Sequence, residues 1–261
     1  MELKICHLYP DVLNLYGDGG NIICMKRRLQ WRGIDAAVTK MPIGSTQSLA
    51  GFDLVFIGGG KLEASKYDLL FIGGGQDFEQ QVLLEDLHRG RGKEIKAAID
   101  DGVTFLTICG GYQMLGEYYE TYDGKRCDFI GALELYTVGS KKRMIGNYEF
   151  KCTENAGGSV VVGFENHSGK TWLGSGIEPL GKIISGFGNN GEDGTEGAHF
   201  KNVFGTYSHG PMLPKNPEFC DLLLKTALER KYGAAELQPL DDTFEKAAHD
   251  AMCARLEAKN R

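Results

Sequence analysis

The run Thr104-Phe105-Leu106-Thr107-Ile108-Cys109-Gly110-Gly111-Tyr112-Gln113-Met114-Leu115 constrains the fold more than any other segment of this chain. An apolar, β-rich stretch stops at a cysteine followed by two glycines and restarts as a helical pattern, which is the layout of a nucleophile elbow. A side chain on such a turn stands clear of the sheet, and the first N–H groups of the next helix have no intrahelical acceptor. Those N–H groups and the positive helix end suit a nucleophilic sulfur at Cys109. The competing reading is a buried structural cysteine. Taken alone, an exposed thiol on an elbow admits proteolysis, redox sensing or acyl transfer.

Upstream, Leu3 to Leu8 reads as a strand and Tyr9-Pro10-Asp11 as a turn. Gly17-Asp18-Gly19-Gly20-Asn21 then precedes Ile22, Met25 and Leu29 at helical spacing, with Gly33 as a cap. Ala36 to Met41 reads as a second strand. Phe78 to Asp101 reads as a long helix broken near Gly90 and Gly92, leading into the Thr104 to Ile108 strand. This alternation predicts an α/β fold with a mostly parallel central sheet and helices on both faces. Gly131 to Val138, Arg143 to Lys151, Val160 to Phe164, Lys182 to Ile184 and Val203 to Tyr207 are expected to extend or flank the same sheet. Helices over Pro217–Tyr232 and Asp241–Lys259 close a single domain spanning 1–261, the last with Phe244, Ala248, Ala251 and Leu256 as its apolar face.

Phe52-Asp53-Leu54-Val55-Phe56-Ile57-Gly58-Gly59-Gly60 recurs fifteen residues later as Tyr67-Asp68-Leu69-Leu70-Phe71-Ile72-Gly73-Gly74-Gly75. Two copies are too few for a solenoid, so this is a local duplication in which two strands compete for one place. The second copy is expected to take it, since it alone leads directly through Gln76-Asp77-Phe78-Glu79 into the long helix. The first copy would then be an added edge strand or loop.

A net charge of -6 over 261 residues, with no dense basic block, argues against a nucleic-acid or anionic-membrane partner. The seven cysteines are odd in number and hold no C-x-x-C pair, so neither a disulfide framework nor a zinc site is expected. The N-terminus lacks the apolar core of a signal peptide, and no apolar run is long enough to span a membrane, so a cytoplasmic protein is expected. Gly163 to Thr171 imitates a P-loop but has five residues between its glycines instead of four. Gly186 to Gly191 matches G-x-G-x-x-G without a following helix and reads as a turn. The histidines show no metal-ligand spacing, and no cofactor is called for.

Acyl transfer by Cys109 requires a base, and His209 in Tyr207-Ser208-His209-Gly210-Pro211 ends a strand whose tip would lie at the same sheet edge. A histidine satisfied by a loop carbonyl is the alternative. Backbone N–H groups from the Gly73-Gly74-Gly75 loop and from Gly110 could converge as an oxyanion hole.

Together, Leu8-Tyr9-Pro10-Asp11-Val12-Leu13-Asn14-Leu15-Tyr16-Gly17-Asp18, Gly73-Gly74-Gly75-Gln76-Asp77, Cys109-Gly110-Gly111-Tyr112-Gln113 and Tyr207-Ser208-His209-Gly210-Pro211 resemble class I glutamine amidotransferases of the cobyric acid synthase type. More closely, they are similar to the glutaminase subunits of bacterial lipid II isoglutaminyl synthases. The resemblance implies a glutaminase that passes ammonia to a MurT-type, Mur-ligase-like partner binding ATP and lipid II, for amidation of the D-glutamate α-carboxyl. It implies Cys109 as nucleophile and His209 as base, Gly75 and Gly110 in the oxyanion hole, and Gln113 and Arg143 on substrate glutamine. A different acceptor, such as a corrinoid side chain, and an inactive partner-binding scaffold are the alternatives.

Two positions depart from the class I pattern. Thr107 stands where many members carry the first glycine of G-x-C-x-G, and Pro211 stands where they carry a glutamate two residues after the base. The resemblance implies that the partner supplies the missing acid, and hence that glutaminase activity is low for the chain alone.

Overall fold

The computed structural model describes residues 1–60 and 83–260. Its first sheet has six strands in the order β11-β12-β4-β3-β1-β2, where β1 is Glu2–Leu8, β2 Asp35–Met41, β3 Leu54–Ile57, β4 Thr104–Ile108, β11 Ala198–Phe200 and β12 Val203–Thr206. All pairings are parallel except that of β11 with β12. Helix α1, Gly20–Trp31, joins β1 to β2. A π-helical turn, Leu87–Arg91, and helix α2, Gly92–Asp100, lead into β4. Gly90, at φ 158°, breaks that stretch where the glycines predict it.

The chain runs outward from β1 to β2 and in the opposite direction from β3 to β4. Because parallel crossovers are right-handed, α1 and α2 fall on opposite faces, and the strand order reverses between β1 and β3. The carboxyl ends of strands at such a reversal open into a crevice, the usual ligand site of this architecture.

The duplication resolves against expectation. Leu54–Ile57, from the first copy, is no edge strand: it pairs with β1 on one side and β4 on the other, and all four residues are fully buried. Both copies carry the same apolar run, so periodicity could not separate them. The close contacts of Gly58-Gly59-Gly60 with Leu13 and Asp18 suit the first copy to the slot. The second copy, including Gly75, lies outside the described residues.

The second half also differs. Its strands do not simply extend the first sheet but build a second one, ordered β10-β9-β7-β5-β6 with β8 on β7. Here β5 is Tyr118–Glu120, β6 Arg126–Asp128, β7 Leu135–Cys152, β8 Val160–Leu173, β9 Gly181–Ser185 and β10 Thr195–Glu196. The two strands expected around Ser140 are one long strand with a bulge between Gly139 and Met144. The P-loop lookalike lies within β8, where an extended backbone cannot wrap a phosphate. Arg126, Tyr118, Tyr136 and Trp172 stack in a row across the strands, which helps to fix their register.

Helices α4, Pro217–Tyr232, and α5, Thr243–Asn260, close the chain. The Arg28 guanidinium of α1 is buried between Asp221 of α4 and Asp242 just ahead of α5. Of the apolar face expected on α5, only Leu256 is buried; Phe244, Ala248 and Ala251 are exposed. Among the described residues, no helix is long and apolar enough to cross a membrane.

Candidate active site

Cys109 follows β4 with φ 47° and ψ −108°, a conformation that non-glycine residues rarely adopt and that a nucleophile elbow requires. The strain is held by the Cys109 N–H donating to the Thr206 carbonyl at 2.8 Å and by the Gln113 N–H donating to the Cys109 carbonyl at 2.8 Å. Gly111 makes the elbow fit, since a Cβ there would lie 2.7 Å from the Gly58 carbonyl oxygen and from Ile57 Cγ2. The helix after the elbow, α3, is a single turn, Gly110–Gln113. Its field is weaker than the longer sequence pattern predicts, and more of the electrostatic work falls to the neighbouring side chains.

His209 lies three residues beyond β12, anchored by its N–H donating to the Phe164 carbonyl of β8 at 2.7 Å. Its Nδ1 faces Asp18 Oδ2 at 3.2 Å, and both side chains are buried. Burial disfavours an imidazolium. The charge of Cys109 and the neighbouring Asp18 carboxylate more than offset that cost and raise the His209 pKa to about 10. The expectation that the chain lacks its own acid is therefore overturned. The carboxylate beside His209 comes from the far side of the strand-order reversal, not from position 211.

Asp18 also accepts the Gly59 N–H at 2.8 Å, which ties it to the end of β3. A Cβ on Gly59 would collide with His209 Cε1 and sit 2.8 Å from Nδ1, so the imidazole rests directly on glycine backbone. Thus β1, β3, β4 and β12 each deliver one part of the site beyond their carboxyl ends: Asp18, the glycine loop, Cys109 and His209.

Gln113 is buried beside the elbow, with Nε2 donating to the Tyr207 hydroxyl at 2.9 Å. Gly110 opens α3, where the first-turn N–H has no intrahelical acceptor. Arg143 is exposed on β7. Its Nε donates to Asn166 Oδ1, Asn166 Nδ2 donates to the Tyr16 hydroxyl at 2.7 Å, and the Tyr16 ring meets His209 edge-on at 4.7 Å. Arg143 is thereby linked to the base through two side chains rather than by direct contact. For the expected oxyanion-hole glycine at 75, the described residues offer instead the equivalent first-copy loop, Gly58 to Gly60, at the end of β3.

Sequence reading missed Asp18, Gly59, Tyr16 and Asn166 as parts of the site. Asp18 stands just ahead of α1, where an aspartate ordinarily signals an N-cap. The cap position is Gly19 with no side-chain cap, and the carboxylate is turned to His209 and Gly59 instead. Tyr16, at φ 61°, carried no sequence signal for its backbone conformation.

A cysteine on an elbow, with a histidine–aspartate pair beyond the ends of neighbouring strands, places the chain among doubly wound α/β proteins with a site at the strand-order reversal. The chain belongs to the CobB/CobQ-like glutamine amidotransferase family, whose domain it matches over residues 4–217. It is 40% identical, over 100% of its own length and 98% of the relative's, to the lipid II isoglutaminyl synthase (glutamine-hydrolyzing) subunit GatD of Staphylococcus aureus strain N315. It is 39% identical to the GatD subunit of Streptococcus pneumoniae strain R6, covering 89% of this chain and 83% of that one. A probable cobyric acid synthase of Methanothermobacter thermautotrophicus is 36% identical over 52% of this chain and 29% of its own. A crystal structure of a glutamine amidotransferase from Thermotoga maritima shares the fold, with a TM-score of 0.53 at 14% identity over 97% of this chain and 94% of that one.

Proposed function

We propose that this chain is the glutamine-hydrolysing subunit of a lipid II isoglutaminyl synthase, with Cys109 as nucleophile, His209 as base and Asp18 as the acid that orients it. The observation that carries the reading is the strained Cys109 elbow beside a buried His209–Asp18 pair. The sulfur of Cys109 attacks the γ-amide carbon of glutamine, and the resulting oxyanion is met by backbone N–H groups of Gly110 and of the glycine loop. Imidazolium at His209 protonates the leaving nitrogen as the C–N bond breaks, releasing ammonia and leaving a glutamyl thioester. The same imidazole, now neutral, takes a proton from water, which attacks the thioester and frees glutamate and the thiol. Arg143 suits the glutamine α-carboxylate, because a guanidinium binds a planar anion through two parallel hydrogen bonds.

The acceptor reading is supported by the similarity to the two GatD subunits, over the full length of this chain for one and 89% of it for the other. Ammonia would pass to a MurT-type ligase subunit that binds ATP and amidates the α-carboxyl of D-glutamate in lipid II. The test combines purified chain, ligase subunit, ATP, glutamine and lipid II, and follows amidated lipid II and glutamate together. Cys109→Ser should abolish both products with glutamine but restore amidation when free ammonium is supplied. Glutamine hydrolysis without lipid II amidation would overturn the acceptor, and no hydrolysis at all would overturn the enzyme.

A further inference from the structure

We propose that Tyr207 is a positioning residue for substrate glutamine: its hydroxyl fixes the Gln113 carboxamide so that Oε1 is presented as an acceptor to an N–H of the substrate amide. The inference rests on the glutaminase reading of the Cys109 site. Tyr207 is fully buried, follows β12 directly and precedes His209 by two residues. Its hydroxyl lies 2.9 Å from Gln113 Nε2 and 2.6 Å from Thr171 Oγ1, which in turn lies 2.7 Å from Thr137 Oγ1. The phenol therefore accepts from Gln113 and donates to Thr171, and the proton chain runs on into β7. Burial and the charge of Cys109 hold the phenol protonated far above neutral pH, as a donor to Thr171 must be.

The ring itself is held on several sides. It stacks on His167 at 3.6 Å with 9° between planes, and it meets Tyr112 edge-on at 5.5 Å. Its backbone N–H donates to Glu196 Oε1 at 2.8 Å. Gln113 has little freedom of its own to resist, since it ends a one-turn helix and Nε2 is pressed against Gly169, where a Cβ would lie 2.7 Å away. The side chain that reads the substrate is thus positioned from the second sheet and from the strand that carries the base. A fixed acceptor at Gln113 favours glutamine, whose γ-amide donates, over glutamate, whose carboxylate repels it.

Tyr207→Phe keeps the ring and its stacking but deletes the hydroxyl, and Thr171→Val deletes only the far acceptor. Steady-state glutaminase assays on the full chain with its ligase subunit should show KM for glutamine rising about 5- to 20-fold in Tyr207→Phe and less in Thr171→Val. In both variants kcat should stay within about twofold, and glutamate should inhibit more strongly than it inhibits the wild type, because a freed carboxamide no longer holds an acceptor against the product carboxylate. A fall in kcat at constant KM would place Tyr207 behind His209 instead, and unchanged KM in the folded variants would overturn the proposal. If Tyr207→Phe does not fold, Thr171→Val carries the same test. Absence of glutamine hydrolysis by the wild-type chain would strike the underlying reading and not this one.

Discussion

Asp18 Oδ2 lies 3.2 Å from His209 Nδ1, so the carboxylate beside the proposed base stands 191 positions away in the sequence and on the same polypeptide. A buried carboxylate there favours the imidazolium and selects which ring nitrogen faces Cys109. Removing the negative charge in Asp18→Asn takes away one of the influences that raise the His209 pKa from 6.5 to about 10. The sign follows: imidazolium is lost at lower pH, so the alkaline limb of kcat/KM should move down, with kcat falling by on the order of tenfold or more. By linkage, the stability that His209 contributes is complete below about pH 6.5 and lost as pH rises through about 10. In Asp18→Asn that loss should be complete at a lower pH in a pH series of thermal melts. Because the acid is in the chain, measurable ammonia release is expected without any ligase subunit. An alkaline limb unmoved by the substitution would show that Asp18 does not act on the base.

Gly59 and the duplicated segment give a second prediction. A methyl at Gly59→Ala would meet His209 Cε1 and Asp18 Oδ2 together, so the imidazole must move. Displacing a base by about an ångström costs on the order of 100-fold in rate, and kcat should drop accordingly while the far-ultraviolet spectrum is kept. Gly74→Ala, at the matching place of the second copy, should be silent. Deleting residues 61–75 joins Gly60 to Gln76, the junction that the second copy has in the sequence, and should leave a folded, active chain. A deletion variant that folds but releases no ammonia would sink this.

The sequence made the first sheet legible because its strands are short, apolar and punctuated by helices, and it marked the elbow because a Cys-Gly-Gly triplet between two periodicities has few other uses. It did not reveal that the first copy of the repeat forms a central strand, since both copies have the same pattern and the contacts of Gly58 to Gly60 lie with residues some forty positions earlier. Nor did it reveal Asp18, whose type and place ahead of a helix match a cap equally well. The second sheet was misjudged for a related reason: alternating half-buried strands look alike whether they extend a sheet or begin another, and only pairing distinguishes them. Local backbone geometry was readable, whereas side-chain contacts with distant partners were not.

Arg143 offers a third test. In the free chain its Nε is held by Asn166, which also holds the Tyr16 hydroxyl. Loss of the guanidinium in Arg143→Ala should raise KM for glutamine by about tenfold or more with kcat little changed, since an exposed charged hydrogen bond to a carboxylate contributes chiefly to binding. Asn166→Ala should raise KM more modestly by freeing Arg143 from its preset direction. Equal KM values for wild type and Arg143→Ala would remove Arg143 from the substrate site.

Glu196 is fully buried at the junction of the two sheets, and its Oε1 accepts from the Tyr148 hydroxyl at 2.8 Å, Thr206 Oγ1 at 2.7 Å and the Tyr207 N–H at 2.8 Å. Burial penalises its charge and, with the nearby Glu165 carboxylate, outweighs those donors, raising its pKa from 4.5 to about 7. Between those values the folded chain binds more protons at this site than the unfolded chain, so rising pH weakens the fold there. The penalty is complete above about pH 7 and on the order of 3 kcal/mol. Glu196→Gln keeps a carbonyl oxygen for the three donors and removes the ionisation. The Tm of the variant relative to wild type should therefore climb by several degrees between pH 5 and pH 8, as expected for a chain of this size. A Tm difference that stays flat across that range would mean that the buried carboxyl is ionised at low cost and that Tyr207 is anchored by a charge.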